Sequence, residues 1–178
     1  MNDNGLFIGQ VVDAVGDEQK IGRVKIKLAA YPGGYETWAR VAQLYAGKDY
    51  GSTWIPEKGC EVLVSFPSGA TMAEPCVVGC LHSTVDPPPE PRTDKSDVKT
   101  LKTLAGSELR FDEGKGIIDL KTPSGASIRL EEKAGAITLT STKKIDLTAP
   151  NITIEAAETV TIKGKDVTIL GSNSVAIN

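Results

Sequence analysis

Apolar and polar residues alternate along much of the chain, which is the pattern of strands with one buried face. In residues 22–28, GRVKIKL, the side chains of Val24, Ile26 and Leu28 share one face and two lysines take the other. Residues 60–66, CEVLVSF, repeat the pattern. Gly- and Pro-rich breaks such as YPGGY and FPSGA separate the alternating runs. The predicted strands are Leu6–Val15, Ile21–Ala29, Thr37–Leu44, Cys60–Phe66 and Pro75–His82.

This spacing of short strands, with no helical periodicity, predicts a small closed barrel of the OB type over residues 1–85. Composition agrees, because aromatic residues make up only 5 % of the 178 residues while Gly, Thr, Val and Ile are plentiful. We therefore expect an all-β protein.

A proline-rich segment follows the predicted barrel. Residues 86–97 read DPPPEPRTDKSD, and so many prolines exclude both a helix and a central strand. We expect residues 86–98 to be an exposed, stiff connector, which makes residues 99–178 a separate domain.

Beyond the connector, pairs of apolar residues two positions apart recur to the end of the chain. The two members of a pair leave the same face of a strand. Up to Ile137 the pairs begin nine or ten residues apart, which fits hairpins with turns such as DEGKG and TPSG. Thereafter they begin seven or eight residues apart. The pairs are Leu109/Phe111, Ile118/Leu120, Ile128/Leu130, Ile137/Leu139, Ile145/Leu147, Ile152/Ile154, Val160/Ile162, Val167/Ile169 and Val175/Ile177.

So short a repeat is difficult for a single chain to wind around a core. One such strand would leave its apolar stripe in water and its backbone edges unpaired. Three chains around a common axis would bury every stripe and pair the edges between subunits. The repeat therefore predicts an intertwined trimeric β-helix or β-prism needle over residues 99–178. Its predicted core comprises Ile137, Leu139, Ile145, Leu147, Ile152, Ile154, Val160, Ile162, Val167, Ile169, Val175 and Ile177.

Charge and targeting signals exclude several classes of protein. The net charge of −3 is small and no basic cluster stands out, so we expect no nucleic-acid partner. No apolar run approaches the ~20 residues of a membrane helix, and the N-terminus, MNDNGLFIGQ, lacks the features of a signal peptide. Three cysteines, an odd number, fit a reducing compartment. We expect synthesis in a bacterial cytoplasm.

A zinc site is the first alternative to a purely structural protein. Cys60, Cys76, Cys80 and His82 are its candidate ligands. Their spacing matches no common zinc knuckle, and buried cysteines are ordinary in a barrel. Cys76 and Cys80 lie four apart on a predicted strand, so we expect both to face the same way. We predict no metal and no cofactor.

Catalysis is the second alternative. The acidic pairs Asp112/Glu113 and Glu131/Glu132 cannot act together on one substrate, because adjacent residues of a strand point to opposite faces. We expect them to be turn and surface charges. No nucleophile elbow or phosphate-binding glycine loop is present in the sequence, so we predict no enzyme activity and no catalytic residue.

Four motifs of the first 85 residues resemble a known family. LFIGQVVDAVGDEQKIGRVKIKL, TWARVAQLYAG, WIPEKGCEVLVSF and EPCVVGCLHS occur in this order. They resemble the barrel domain of contractile-tail spikes, which include the phage baseplate assembly protein V group and the valine-glycine-repeat spikes of type VI secretion and extracellular injection systems. The repeat beyond the connector is similar to the needle of these spikes. The resemblance also assigns the aromatic residues around 38–54 a structural role rather than nucleic-acid binding.

The resemblance implies a homotrimer in the baseplate of a phage tail or related injection particle. Its barrels would sit against a hub, and its needle would pass through the target cell envelope without catalysing a reaction. Since the sequence starts at the barrel, a separate hub protein is expected. The only histidine, His82, precedes the connector, so the resemblance gives no metal-binding tip. A PAAR-type tip protein would instead contact Ser174, Val175, Ala176, Ile177 and Asn178.

A trimeric receptor-binding fibre or adhesin is the alternative reading of the same repeat. An adhesin is expected to carry a receptor-binding knob or exposed aromatic residues at its far end. The C-terminal residues SNSVAIN offer only small, polar and aliphatic side chains, which favours the spike.

Overall fold

The computed structural model describes residues 5–30, 33–67, 74–90, 94–95 and 97–171. The chain divides into two compact units, Met1–Val98 and Lys99–Asn178. The described residues form strands, turns and irregular segments, with no helix among them. The predicted all-β class is therefore confirmed. Accordingly, the described part of the chain has no helix that could cross a bilayer.

The described residues of the barrel region, 5–90 apart from its gaps, form seven strands. Five of them correspond to the predicted strands, with ends that differ by a few residues. The strands are β1 (Leu6–Asp13), β2 (Val24–Leu28), β3 (Tyr35–Val41), β4 (Ala46–Gly47), β5 (Tyr50–Gly51), β6 (Glu61–Ser65) and β7 (Cys76–Leu81).

Five of these strands close into a barrel with the order β1-β2-β3-β7-β6. The pairing of β1 with β6 completes the closure, and every pair is antiparallel except β3 with β7. This is a Greek-key barrel of the OB type. The predicted OB-type barrel is therefore confirmed.

The barrel core contains the predicted faces. Val24, Ile26 and Leu28 are all 0 % exposed, and the alternate residues of β2 point outward. Because the strands close on themselves, one chain buries the whole apolar lining. The core comprises Val11, Val24, Ile26, Leu28, Ala39, Val62, Val64, Phe66 and Val77.

The ends of β1 and β2 are set by two aspartates rather than by the apolar pattern. The carboxylate of Asp13 accepts hydrogen bonds from the backbone N–H groups of Val15 and Gly16 (2.9 and 3.1 Å). It therefore competes with strand pairing, and β1 stops before the predicted Val15. Asp17 organises the following loop, so β2 begins at Val24 rather than at Ile21.

Strand β7 contains an irregularity that the sequence did not indicate. Its register with β6 shifts between Leu63 and Val64, which pair with Gly79 and Val77. Val78 is the extra residue, and it resets the alternation of faces. Cys76 then pairs with the outward Ser65 and Cys80 with the buried Val62. The prediction that the two cysteines face the same way is wrong for this reason.

The small β4–β5 hairpin was not predicted. Each strand has only two residues, which is too short for alternation to be recognised. Asp49 adopts a positive φ of 64° at the turn, and the Ser52 N–H donates to the Tyr45 carbonyl (2.7 Å). The hairpin lies in the segment between β3 and β6.

The connector is exposed and contains no strand in residues 86–90. Before it, the hydroxyl of Ser83 accepts hydrogen bonds from the N–H groups of Val85 and Asp86 (3.2 and 3.1 Å). Strand structure resumes at Val98, which is the last residue of the predicted connector.

The hairpins of the second unit form a five-stranded sheet of consecutive neighbours, with the order β12-β11-β10-β9-β8. We call it the hairpin sheet. The first of its strands was not predicted. Its members are β8 (Val98–Lys102), β9 (Glu108–Asp112), β10 (Ile117–Lys121), β11 (Ser127–Glu131) and β12 (Ala136–Thr140).

Glycines in the left-handed region close the turns of the hairpin sheet. Gly116 and Gly135 end two of them with φ of 68° and 59°, a conformation that costs other residues about 1–2 kcal/mol. In the TPSG turn, the Gly125 N–H donates to the Thr122 carbonyl (3.0 Å). The hairpins predicted from DEGKG and TPSG are thus confirmed.

Residues 141–171, which we call the tail, form no strand in the single chain and are exposed throughout. The predicted trimeric β-helix stays a prediction for this segment.

Candidate assembly surfaces and family relationship

The register of the hairpin sheet places the apolar pairs of four successive strands on one face. Ile118 of β10 lies opposite Phe111 on one side and Leu130 on the other, and Leu120 lies opposite Leu109 and Ile128. β12 extends both rows in the same register. We call this surface the apolar face. Its first row is Phe111, Ile118, Leu130 and Ile137, and its second is Leu109, Leu120, Ile128 and Leu139.

Much of the apolar face is open to solvent in one chain. Leu109 is half-buried, and the exposed fractions of the other seven side chains rise from 39 % at Phe111, Ile118 and Ile128 to 73 % at Ile137. The first row also lines a pocket of about 620 Å³ between the turns at Gly116 and Gly135. Contiguous exposed apolar surface of this kind marks an interaction site.

The opposite face of the hairpin sheet, which we call the polar face, carries charged side chains that form ion pairs with one another. Asp119 is only 2 % exposed and accepts two hydrogen bonds from the Arg129 guanidinium (2.8 and 3.0 Å). Lys121 Nζ lies 3.0 Å from the same carboxylate. Arg129 holds the pKa of Asp119 below its usual 3.8, and Lys121 contributes, although burial raises it. Among the described residues, no buried side-chain polar atom lacks a hydrogen-bond partner.

Asp112 closes the polar face at one end. It is 4 % exposed, accepts a hydrogen bond from Arg110 (2.9 Å) and also accepts one from the Lys115 N–H in the turn (3.0 Å). Burial raises its pKa, but these donors outweigh burial and lower it. Asp112 is thus a turn charge, as expected, but it is buried rather than on the surface, because the β9 register turns it onto the polar face.

The tail carries its apolar pairs without covering them. Ile152 is 52 % exposed, Ile162 67 % and Ile169 61 %. Of the predicted core residues, Ile137 and Leu139 lie in β12 on the apolar face, and the described pairs from Ile145 to Ile169 lie in the tail. Val175, Ile177 and the predicted tip-contact residues 174–178 lie outside the described residues. The core assignment stays a prediction.

Six residues of the apolar face were recognised as apolar pairs but were not assigned to the core. A 19-residue repeat would have identified them, since Leu109 and Ile128, and likewise Ile118 and Ile137, stand 19 residues apart. The turns repeat as well: Thr103 N–H donates to the Ser107 carbonyl as Thr122 N–H does to the Ala126 carbonyl, each at 2.9 Å. The six missed residues are Leu109, Phe111, Ile118, Leu120, Ile128 and Leu130.

The barrel exposes aromatic side chains around the β4–β5 hairpin, which we call the aromatic surface. Tyr45, Tyr50 and Trp54 are 65 %, 59 % and 55 % exposed, and the two tyrosine rings lie 5.2 Å apart. Gln43 fixes the backbone of Trp54 by accepting from its N–H (2.9 Å) and donating to its carbonyl (3.2 Å). The expectation that these aromatic residues have a structural role, as the resemblance implies, stays a prediction.

The loop between β1 and β2 is held rigid by Asp17. Its carboxylate accepts hydrogen bonds from the N–H groups of Gln19, Ile21 and Arg23, and from the Arg23 side chain. Burial raises the pKa of Asp17, but these donors outweigh it and lower the pKa to about 2. Ile21 of this loop lines the same pocket as Tyr50. A fixed loop therefore borders the aromatic surface.

The cysteines are unpaired thiols. Cys60 and Cys76 are half-buried, and Cys80 is exposed. Burial raises the pKa of Cys80, and the neighbouring Cys60 adds to the effect. Across the described residues, no group of three or more His, Cys, Asp or Glu side chains is placed to hold a metal ion.

The barrel and the hairpin sheet define an all-β protein with an OB-type domain and a half-exposed apolar sheet. Residues 7–82 match the family model described as the type VI secretion system/phage-baseplate injector OB domain. The barrel thus matches this family, and the predicted resemblance to contractile-tail spikes is confirmed.

Curated relatives extend the match beyond the barrel. The chain is 32 % identical over 126 residues to the type VI secretion system spike protein VgrG3 of Vibrio cholerae, covering 64 % of this chain and 12 % of the relative. It is 38 % identical over 85 residues to the spike protein VgrG4b of Pseudomonas aeruginosa (44 % and 10 %). It is 37 % identical over 128 residues to the actin cross-linking toxin VgrG1 of Vibrio cholerae (64 % and 11 %). The chain therefore spans only about a tenth of the length of these relatives.

Proposed function

We propose that the protein is the central spike of a contractile injection machine, a phage tail or a related particle. Three copies form one shaft, and sheath contraction drives the shaft through the target cell envelope. The role is mechanical, and no reaction is assigned to the protein. The relatives named as spike proteins and the baseplate-injector family of the barrel support this proposal.

The observation that carries the proposal is the exposed apolar face of the hairpin sheet. None of its eight side chains carries a charge. Completing the burial of each would contribute roughly 1 kcal/mol, or on the order of 10 kcal/mol per chain. Association itself costs about 4–15 kcal/mol, so this face needs an extended partner surface rather than a small ligand.

A further copy of the same chain is the occupant that fits best. The tail repeats the same apolar pairs at short intervals, so neighbouring copies present matching stripes along their whole length. The predicted core residues from Ile137 to Ile177 would then line the threefold axis. Interchain strand pairing would supply the backbone partners that the tail lacks in one chain.

The aromatic surface of the barrel is the proposed contact with a separate hub protein of the baseplate. Tyr and Trp are enriched at protein interfaces, and Gln43 and Asp17 hold this region in place before binding, which lowers the entropic cost of ordering it.

The last residues, 174–178, are the proposed contact for a PAAR-type tip protein. The hub contact at the aromatic surface can be tested by mutation. We expect the Trp54→Ser variant of the spike protein to be missing from purified particles. The Val78→Ser control, at an exposed position of β7, should be incorporated normally. Normal incorporation of Trp54→Ser would move the hub contact elsewhere.

The mass of the purified protein in solution tests the central proposal. Light scattering during size-exclusion chromatography should give about three times the chain mass of 18.8 kDa. A single-chain mass at micromolar concentration would refute the shaft. A trimer that binds whole cells but is absent from sedimented particles would instead favour the receptor-binding fibre.

A further inference from the structure

We propose that assembly is ordered: the hairpin sheet makes the first contact between copies of the chain, and this contact sets the register in which the tails then pair. The inference rests on the proposed trimeric function. It adds which part of the second unit associates first and which part only follows.

The first argument is that the backbone of the hairpin sheet is already ordered in one chain. Its strands hydrogen-bond to one another within the chain, and glycines such as Gly116 and Gly135 fix the turns. The ion pairs of Asp119 and Asp112 hold the polar face. A copy that docks on the apolar face therefore orders few additional groups.

The tail is in the opposite situation. It has no strand in one chain, and all of its side chains are exposed. Ordering the backbone costs about 1–2 kcal/mol per residue, which for the tail's 31 residues (141–171) amounts to tens of kcal/mol. The exposed apolar pairs of the tail offset that cost only when the chains are already side by side. Tails are therefore poor initiators of association.

The two faces of the hairpin sheet also determine how copies can meet. Contact through the polar face would remove the partly exposed charged side chains of Arg129 and Lys121 from water, and this desolvation is costly. The apolar face has no such penalty. Its two rows lie two residues, or about 7 Å, apart along the strands. A copy displaced by one row would leave the other row uncovered, which disfavours a slipped contact. The sheet can therefore align the tails that follow it.

Matched substitutions in the full chain separate the two steps. Leu130→Asp places a charge in the first row of the apolar face, and Ile162→Asp places one in the tail. Thr138→Asp, on the polar face opposite Arg129, and Thr161→Asp, beside Ile162, are the controls. Each variant is measured by light scattering for mass and by amide hydrogen exchange for local order.

We expect Leu130→Asp to remain a single chain at every concentration, with an unprotected tail. Ile162→Asp should still have the mass of three chains, with slow exchange in residues 98–140 and fast exchange in residues 141–171. Both controls should behave as the parent protein. If Ile162→Asp is a single chain like Leu130→Asp, assembly is one cooperative step and the order proposed here is wrong, although the trimeric spike stands. If the parent protein is a single chain, the spike proposal itself fails.

Leu130→Asp could also disrupt the hairpin sheet itself, and exchange in β9–β11 detects this. Ile128→Ser, in the second row, is the milder second variant. It should weaken association at least tenfold while the sheet amides stay protected. Unchanged association of Ile128→Ser would overturn the proposal.

Discussion

The barrel and the hairpin sheet are built from the same alternation of apolar and polar residues, but opposite faces are buried. In the barrel, Ile26 and Leu28 are 0 % exposed. In the hairpin sheet, Ile118 is 39 % and Ile137 73 % exposed, whereas Asp119 on the other face is 2 % exposed. The barrel closes through β1 and β6, while the sheet has two open edges. Closure allows one chain to bury its apolar face, and without closure the same pattern leaves the apolar face of one chain open to solvent.

Truncation of one apolar side chain in each region gives the largest expected effect. Ile26→Ala should destabilise the barrel by about 2–5 kcal/mol through the cavity it leaves, independently of protein concentration. Leu120→Ala, at a position that is 50 % exposed, should destabilise only the assembled form. Denaturant unfolding is measured at several protein concentrations. Tryptophan fluorescence follows the barrel, which contains both tryptophans, Trp38 and Trp54, and light scattering follows the mass of the assembly. If Leu120→Ala lowered the free energy of unfolding equally at all protein concentrations, the hairpin sheet would be stable in a single chain without association.

Turn glycines give an intermediate effect. Gly116→Ala introduces a Cβ at a φ of 68°, with Glu132 Oε2 2.9 Å from it, and should cost the hairpin sheet about 1–2 kcal/mol. Gly79→Ala in β7 is the barrel control, because no atom lies within 4 Å of its Cβ position and its φ is not positive. Its effect should stay within about 0.5 kcal/mol. Thermal unfolding measures the stability of both variants. A similar loss of stability in Gly116→Ala and Gly79→Ala would show that the positive φ of Gly116 is not the cause.

Lowering the pH gives the smallest expected effect, which is limited to the order of the loop between β1 and β2. Because the folded pKa of Asp17 is lowered from 3.8 to about 2, its contribution to stability is complete above pH 3.8 and is lost as the pH falls toward 2. The protection factors of the amides in residues 14–23, which correct for the intrinsic pH dependence of exchange, should therefore fall as the pH is lowered over this range. Asp17→Asn should show low protection factors at both ends of the range. Equal pH dependence in the parent and in Asp17→Asn would assign the effect to another group.

The faces of the barrel strands could be predicted because alternation depends only on neighbouring residues. Val24, Ile26 and Leu28 are an example. The bulge at Val78 could not be predicted, since it depends on how β7 pairs with β6. Strand ends were missed where a side chain competes with pairing, as Asp13 does.

The candidate assembly surface was predicted only in part. The apolar pairs were visible in the sequence, but the two rows of the apolar face depend on the register of four strands. The contact between Asp119 and Arg129, ten residues apart, likewise exists only because Asp119 lies opposite Arg129 across β10 and β11. The exposure of Trp54 follows from the β4–β5 hairpin, whose strands are too short to predict.

The 19-residue repeat has a consequence for how such proteins can change in length. Each unit carries its own two turns, and the second hairpin pairs in the same relative register as the first. Tandem duplication of one unit would add two strands, or roughly 10 Å at 4.8 Å per strand, without moving any side chain to the wrong face. The length of the sheet could therefore change in evolution through the number of repeat units alone, without any new turn or core residue.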